Sequence, residues 1–315
     1  MPTGNHCHTL AVLTWKPPTT NAAQAARDIV SAATWFHSTF SHEVWLWRGQ
    51  ADARFGLEPG VHTRVLNSKL SHDDKTVIAA TTHLLSTARK AGLDKDGAFT
   101  MPDLALLATL QHHGAATPLL DVTTDPLIAL WMVANATGEE PDSLDSTTGR
   151  LFGILRPPED RWLDPLDARD YWSASGTSIA DSLQDTYYWY RAPDVTERLR
   201  IQRGSFLISD FNTTNPRVDT SMSIEIGTKE FNVRGKNYVE RRIEKRGESA
   251  NNFKRRGEAF AITVTGAVKR ELRALLLDRS GLSTRTVYPT PWHKPFIEQF
   301  SETYGRGRSL DLDLA

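Results

Sequence analysis

Four polar residues lie in apolar or helix-ending sequence, and their types suit the binding of a charged ligand. Arg48 follows the apolar run 44–47 and offers a planar fork of N–H donors that fits a phosphate or a carboxylate. Asp121 stands between apolar neighbours, His112 closes an apolar helical segment, and Gln202 comes just before a glycine at a strand start. Because polar groups in buried sequence need one another or a ligand, we predict that these four residues converge on one pocket.

Each of these residues also has a structural interpretation. Arg48 could pair with a nearby carboxylate, and Asp121, with a buried backbone, could find its partner in Arg48 or Arg64. His112 could act only as a cap at the end of its helix, where the helix dipole would favour the charged imidazole. Gln202 could hold a neighbouring loop. The sequence leaves both interpretations open for each residue.

Four further residues are candidates for holding the phosphate or sugar of a ligand: Gly49, Gln50, Thr117 and Thr123. A glycine after the arginine lets a ligand come close to the backbone. The two threonine hydroxyls can bond a sugar or phosphate. Thr123 could instead cap the following helix together with Asp125.

The elements that would position these residues follow one another in irregular order. Apolar spacing and capping residues predict helices over 21–40, 74–91, 102–113, 125–134 and 266–278, and strands over 44–48, 151–155, 205–208 and 259–264. Because strands and helices do not alternate strictly, we predict an α+β fold with a mixed or antiparallel sheet partly covered by helices.

The chain is expected to form one compact domain. Residues 1–20 are predicted to be a lead-in, and 21–315 the domain, with a basic polar insertion at about 212–257. Between Lys229 and Gly257 there are ten Lys or Arg against four Glu. This segment is either a solvated helix with ion pairs or a phosphate-facing surface for nucleic acid. Its interspersed glutamates favour the first, so we predict no tight nucleic-acid binding.

Composition excludes several classes of protein. The net charge of −1 over 315 residues argues against a globally basic nucleic-acid coat, and the single cysteine excludes an intrachain disulfide framework. No apolar run approaches the roughly 18 residues of a membrane span, and the N-terminus lacks a signal-peptide pattern. We therefore expect a cytoplasmic protein with no membrane partner. We expect no metal either, since the cluster His6, Cys7 and His8 has no second ligand pair.

An ordered set of motifs resembles the FRG-domain family, named for its Phe-Arg-Gly motif. The motifs are Trp47-Arg48-Gly49-Gln50, the run 57–64 with Leu-Glu-Pro and a later Arg, Gln111-His112-His113-Gly114 continuing to Thr123, the run 125–130, and Gln202-Arg203-Gly204-Ser205-Phe206. The resemblance spans about 43–210, and 272–289 is similar to the family's closing helix and Tyr-Pro turn. The chain departs from the pattern at Trp47, His113 and Pro118.

The aromatic-Arg-Gly strand end also looks like the first strand of Arg-type ADP-ribosyltransferases, in which that arginine holds NAD. This likeness implies a nucleotide-directed enzyme that consumes NAD by ADP-ribosyl transfer or glycohydrolysis, as a toxin or an anti-phage defence component. The late Glu-x-Glu motif of those enzymes is not in this sequence, and Glu225 and Glu230 are its candidate replacements. The alternative is a non-catalytic module that senses a nucleotide or a phage product. A metal-dependent nuclease would need more clustered acids than Asp121 and Asp125.

Overall fold

The structure is a computed structural model that describes residues 13–17, 20–39, 45–96, 98–135, 142–183, 187–193, 197–210, 225–226 and 259–288. Nine of the described strands form one sheet. In chain order the strands are β1 (Leu13–Trp15), β2 (Trp45–Gln50), β3 (Lys95–Asp96), β4 (Phe99–Thr100), β5 (Leu119–Thr123), β6 (Gly149–Leu155), β7 (Trp162–Leu163), β8 (Tyr187–Tyr190), β9 (Gly204–Ser209), β10 (Glu225–Ile226) and β11 (Ala259–Val264). Strands β3 and β4 form a separate small hairpin.

The sheet is mixed, with the strand order β10-β1-β11-β6-β2-β5-β9-β8-β7. Its centre is antiparallel, because β11 with β6, β6 with β2, β2 with β5, β5 with β9 and β9 with β8 all pair in opposite directions. Towards the two edges the pairs β10 with β1, β1 with β11, and β7 with β8 are parallel. The predicted α+β class with a mixed sheet is therefore confirmed.

The helices lie between the strands along the chain. They are α1 (Ala22–Thr39), α2 (Gly60–Asn67), α3 (Asp74–Lys90), α4 (Asp103–His112), α5 (Pro126–Ala134), α6 (Ile179–Ser182), α7 (Glu197–Ile201), α8 (Gly266–Ser280) and α9 (Thr284–Val287), with a 3₁₀ turn at Glu159–Arg161. In the described part of the chain, no helix combines the length and the apolar character needed to cross a membrane.

Two groups of helices cover the sheet. Helices α1, α5 and α8 pack on the central strands, where Trp47 of β2 shares a core with Ile29 and Val268. Helices α3 and α4 pack farther along, where Leu119 of β5 shares a second core with Leu107. Side chains alternate between the faces of a strand, so Leu120 and Val122 belong instead to a third core with Leu46, Phe152 and Leu207.

Local sequence signals account for the helices that the sequence predicted. Asn21 accepts a hydrogen bond from the Gln24 amide at the start of α1, and Asp125 accepts one from the Leu127 amide at the start of α5. Gly114 has φ of +96° just after α4, as expected of a glycine that follows a helix. Four predicted strands are present as β2, β6, β9 and β11, although Val44 lies outside the described residues.

Other elements were missed by the sequence analysis. Strand β5 was quoted as a motif and not predicted as a strand, although it lies near the middle of the sheet. Strand β8, Tyr187–Tyr190, is short and aromatic, and the sequence before it has no regular apolar spacing. The insertion proposed at about 212–257 lies outside the described residues except for β10, so its structure stays a prediction.

Candidate functional site

A cleft opens where two neighbouring strands separate. In the described structure β2 pairs with β6 over six residues, but it pairs with β5 at a single position, Trp47 with Thr123. Beyond this pair the end of β2 and the start of β5 are not joined by a ladder. The residues after Trp47 on β2 and before Thr123 on β5 therefore border an opening in the sheet.

The cleft has a volume of about 250 Å³. It is lined from β2 and the turn after it, from the ends of α4 and α5, and from the segment that joins α7 to β9. The polar residues that line it include Arg48, Gln50, Asp52, Gln111, His112, Asp121, Thr123, Asn135, Arg198, Gln202 and Ser205, and the apolar ones include Trp47, Phe55, Met132, Leu144 and Tyr288. All four residues predicted to converge are thus in the lining.

Arg48 bridges the opening between the two strands. Its Nη1 donates to the backbone carbonyl oxygen of Asp121 at 2.7 Å, so the guanidinium takes the place that a β2 amide would have in a continuous ladder. The side-chain amide of Gln50 faces Arg48, and with its oxygen assigned to that side it accepts from Nε at 2.9 Å and from Nη2 at 2.8 Å. Burial lowers the pKa of Arg48 from its ordinary value, while the neighbouring Asp121 raises it. The guanidinium is held in one place by groups on both strands.

Asp121 turns its carboxylate towards the opening. Its side chain is half exposed, at 50%. Oδ2 lies 3.7 Å from Arg48 Nη1 and accepts a hydrogen bond of 3.0 Å from Gln111 Nε2. Of the two arginines considered as partners, Arg48 is the one that pairs with it. The carboxylate is oriented by two side chains and still faces the solvent of the cleft.

Thr117 does not line the cleft, contrary to its predicted role as a ligand for sugar or phosphate. It is fully buried, donates from its hydroxyl to Gln111 Oε1 at 2.8 Å, and accepts from the Leu119 amide at 3.2 Å. The hydroxyl is used within the protein, where it orients the Gln111 amide towards Asp121. Thr117 is therefore a residue that positions others.

Thr123 lines the cleft, but its hydroxyl is also engaged. It donates to the carbonyl oxygen of Gln202 at 2.7 Å and accepts from the Asp125 amide at 3.0 Å. The structure thus follows the alternative in which Thr123 supports the start of α5. Its role as a sugar or phosphate ligand is not supported by this geometry.

Gln202 joins the cleft to the C-terminal part of the chain. Its side chain is almost fully buried, and Nε2 donates to the carbonyl oxygen of Val287 in α9 at 3.0 Å. The side-chain nitrogen of Gln202 therefore holds a neighbouring segment, as the structural alternative predicted. This contact keeps Tyr288 at the cleft.

His112 ends α4 as predicted, but its charge state is the opposite of the one expected from the helix dipole. Burial, with smaller effects of Arg198 and His113, lowers the pKa of His112 from 6.5 to about 3. The imidazole is therefore neutral at pH 7. Its Nε2 is buried and has no hydrogen-bond partner among the described residues.

The packing of α5 on β2 requires a glycine at position 49. A Cβ at this position would overlap the carbonyl oxygen of Ala129 and stand 2.9 Å from Met132 Cβ, both on α5. The missing side chain lets α5 lie directly on β2. Gly49 also lines the cleft, so the close approach of a ligand to its backbone stays a prediction.

Several residues of the cleft were missed by the sequence analysis. Gln111 was quoted in a motif, yet its role in orienting Asp121 became visible only through the tertiary contacts. Arg198 donates from Nη1 to the carbonyl oxygen of His112 at 3.3 Å, and its guanidinium lies 4.0 Å from the centre of the Tyr288 ring. Arg198 is four residues before the motif 202–206 and carries no local signal of its own. Phe55 lines the cleft mouth from an irregular turn.

The glutamates considered for a transferase are not placed at the cleft by the described structure. Glu225 lies on the edge strand β10, four strand positions away from β2, which corresponds to about 19 Å across a sheet. Glu230 lies outside the described residues. Within the part of the chain that is described, no group of three or more His, Cys, Asp or Glu is arranged to hold a metal ion.

These features define an α+β protein with an arginine–carboxylate cleft at a break between two central strands. Residues 43–141 match the family model described as the FRG domain, which confirms the predicted resemblance over that segment. No curated protein and no solved structure matches the chain. The matched segment supplies Arg48, His112 and Asp121, whereas Arg198, Gln202 and Tyr288 lie beyond it. The cleft is therefore built from the matched segment together with later elements.

Proposed function

We propose that the cleft binds a nucleotide and that the protein consumes NAD by cleaving the bond between nicotinamide and ribose. One observation carries this proposal: a fixed guanidinium and a half-exposed carboxylate, Arg48 and Asp121, lie 3.7 Å apart in the same cleft. An arginine fork suits the phosphates of a nucleotide, and a carboxylate suits the positive charge that develops on a ribose when its base leaves.

Arg48 is prepared for a phosphate before any ligand arrives. A guanidinium has five N–H groups. Gln50 engages two of those of Arg48 and the Asp121 carbonyl a third, which leaves two for a ligand. Since the side chain is already held, binding costs little further conformational entropy. Arg198 adds a second positive charge to the lining.

Asp121 is the group proposed to act at the ribose. When the glycosidic bond breaks, its electron pair goes to the pyridinium nitrogen and neutral nicotinamide leaves. The C1′ carbon becomes oxocarbenium-like and is stabilised by the negative charge of the carboxylate. Water then adds to C1′ and loses a proton, which gives ADP-ribose, or an acceptor group adds in its place. Gln111 holds Asp121 in position for this step.

The size of the cleft fits half of a dinucleotide. Its volume of about 250 Å³ is just under the lower end of the roughly 300–1,000 Å³ range of small-molecule sites. A mononucleotide portion can be enclosed, while the rest of NAD extends beyond the mouth. This supports a phosphorylated small molecule as the partner. The basic segment 229–257 lies outside the described residues and has no part in the proposal.

The test is the release of nicotinamide from NAD by the full-length protein. We expect the wild-type chain to release nicotinamide, and Asp121→Asn to do so at least about 100-fold more slowly, since loss of one electrostatic group at a transition state costs about 10²–10³. Asp160→Asn is the matched control, because Asp160 is an exposed carboxylate outside the cleft lining. Equal release by wild type and Asp121→Asn would show that Asp121 does not take part.

A second candidate is a module that binds a nucleotide without converting it. The observation in its favour is the small number of available acids: no glutamate is among the described residues that line the cleft, and the Asp52 carboxylate is bound by Arg54 at 2.6 Å. Calorimetry with NAD and with ADP-ribose separates the two functions. Binding without nicotinamide release supports the module, and no binding of either compound contradicts both.

A further inference from the structure

We infer that Phe55 is an aromatic platform on which the base of the bound nucleotide stacks; this rests on the nucleotide site proposed above. Phe55 lines the cleft and is 52% exposed. Four other phenylalanines, Phe36, Phe152, Phe206 and Phe260, are buried in the cores. No aromatic ring of another described residue packs against Phe55. The exposed ring is thus available to a ligand in the cleft.

The backbone around Phe55 forms a tight turn and is not a loose loop. The Phe55 amide donates to the carbonyl oxygen of Asp52 at 3.1 Å, and the Ala53 amide donates to the carbonyl oxygen of Thr148 at 2.7 Å. Arg54 closes the turn by donating from Nε to Asp52 Oδ2 at 2.9 Å. These bonds fix the position from which the phenyl ring projects.

A buried lysine anchors this turn from beneath. Lys269 on α8 is 1% exposed, and its Nζ donates to the carbonyl oxygens of Ala51 and Leu144 and to the hydroxyl of Thr147. Ala51 and Leu144 both line the cleft. The lysine therefore joins the turn of Phe55 to the opposite loop and holds the rim of the cleft together.

A nucleobase is the ligand group that fits such a ring. Every base presents a flat π face, and stacking on an aromatic side chain is strong without being selective for one base. Arg48 offers donors for the phosphate, and Phe55 offers a face for the base. Two-point recognition of this kind distinguishes a nucleotide from a simple sugar phosphate.

The experiment compares ligands with and without a base on the full-length protein. Calorimetry is done with adenosine monophosphate, nicotinamide mononucleotide and ribose 5-phosphate. We expect Phe55→Ala to weaken binding of the two mononucleotides by about 5- to 150-fold, the usual effect of removing one stacking ring, and to leave ribose 5-phosphate binding unchanged. Phe55→Trp should restore mononucleotide binding.

Phe99→Ala is the matched control. Phe99 lies on β4, is 50% exposed and is absent from the cleft lining, so its replacement removes the same ring from a different surface. We expect this variant to bind all three compounds as the wild type does. Melting curves of both alanine variants confirm that each is folded.

The outcomes separate the two proposals. If the wild type binds a mononucleotide and Phe55→Ala binds it equally well, the stacking platform is wrong while the nucleotide site stands. Equal weakening for ribose 5-phosphate and the mononucleotides would also overturn stacking. If the wild type binds none of the three compounds, both the proposed nucleotide site and the proposed stacking role of Phe55 are contradicted.

Discussion

Arg48 donates from Nη1 to the main-chain carbonyl of Asp121 at 2.7 Å, and the carboxylate of the same aspartate lies 3.7 Å from that nitrogen. One side chain thus joins β2 to β5 where their ladder ends, and places its charge beside a half-exposed acid. The contact that completes the sheet is also the contact that builds the cleft. Changes at Arg48 are therefore expected to affect binding and, to a smaller extent, stability.

Arg48→Lys should reduce nucleotide affinity by about tenfold or more. Lysine keeps the charge and can reach one acceptor, but it loses the planar fork that serves Gln50, Asp121 and a phosphate together. A charged hydrogen bond is worth about 1.5–3 kcal/mol, which sets the size of the effect. Calorimetry with NAD or ADP-ribose measures it.

The control for this substitution is Arg200→Lys, since Arg200 is an exposed arginine on α7 outside the cleft lining. It should bind as the wild type does. If Arg48→Lys keeps full affinity, Arg48 is not the phosphate ligand. A large fall in melting temperature, together with lost binding, would instead assign Arg48 a mainly structural role.

Gly49→Ala should destabilise the fold by about 1–3 kcal/mol or more, because the added methyl would overlap the α5 backbone at Ala129. Chemical denaturation measures the loss. Gly60→Ala is the matched control, since a Cβ there would lie 3.3 Å from Ala116 Cα and needs only a small shift. A Gly49→Ala variant with normal stability but no ligand binding would favour the earlier interpretation, in which the glycine admits a ligand.

The depressed pKa of His112 predicts a pH-dependent stability. Between pH 6.5 and about 3 the imidazole is protonated in the unfolded chain and neutral in the folded one, so the unfolded state binds more protons. Stability should therefore fall as the pH falls through this window, by up to about 1.4 kcal/mol per pH unit from this group.

His112→Gln tests this prediction by urea unfolding at several pH values. The variant should lose stability less steeply than the wild type between pH 6.5 and 4. His62, whose pKa burial also lowers to about 3, contributes equally to both proteins and cancels in the comparison. Identical slopes would mean that His112 is protonated in the folded state at its ordinary pKa.

Lys269→Met should destabilise the protein by about 1–3 kcal/mol, because it removes a charged donor shared by the carbonyl oxygens of Ala51 and Leu144, which would then keep only their hydrogen bonds from Thr147. The rim of the cleft would loosen, so mononucleotide affinity should fall as well. Thermal unfolding and calorimetry measure the two effects. Arg270→Met, at an exposed neighbouring position on α8, should change neither. Unaltered stability of Lys269→Met would contradict the anchoring role.

Local signals in the sequence determined the elements that carry them. Asn21 and Asp125 are capping residues with short side chains, and each begins a helix as predicted. The apolar run before Arg48 forms a strand, and its adjacent side chains pack on opposite faces of the sheet, Trp45 and Trp47 on one and Leu46 on the other. Strand β5 was missed because its polar Asp121 and Thr123 interrupt the apolar pattern, and its pairing with β9 is a long-range contact.

The sequence by itself determined the α+β class, the FRG resemblance and four of the residues that gather in one cleft, Arg48, His112, Asp121 and Gln202. Tertiary structure decided what each of them does, because a hydroxyl or an amide is available to a ligand only if no neighbour has taken it. Thr117 and Thr123 are engaged within the protein, and the Asp121 carboxylate is not enclosed. Arg198 and Lys269 reach the site from distant segments. Such contacts depend on how strands and helices pack, so they cannot be predicted from the spacing of residues along the chain.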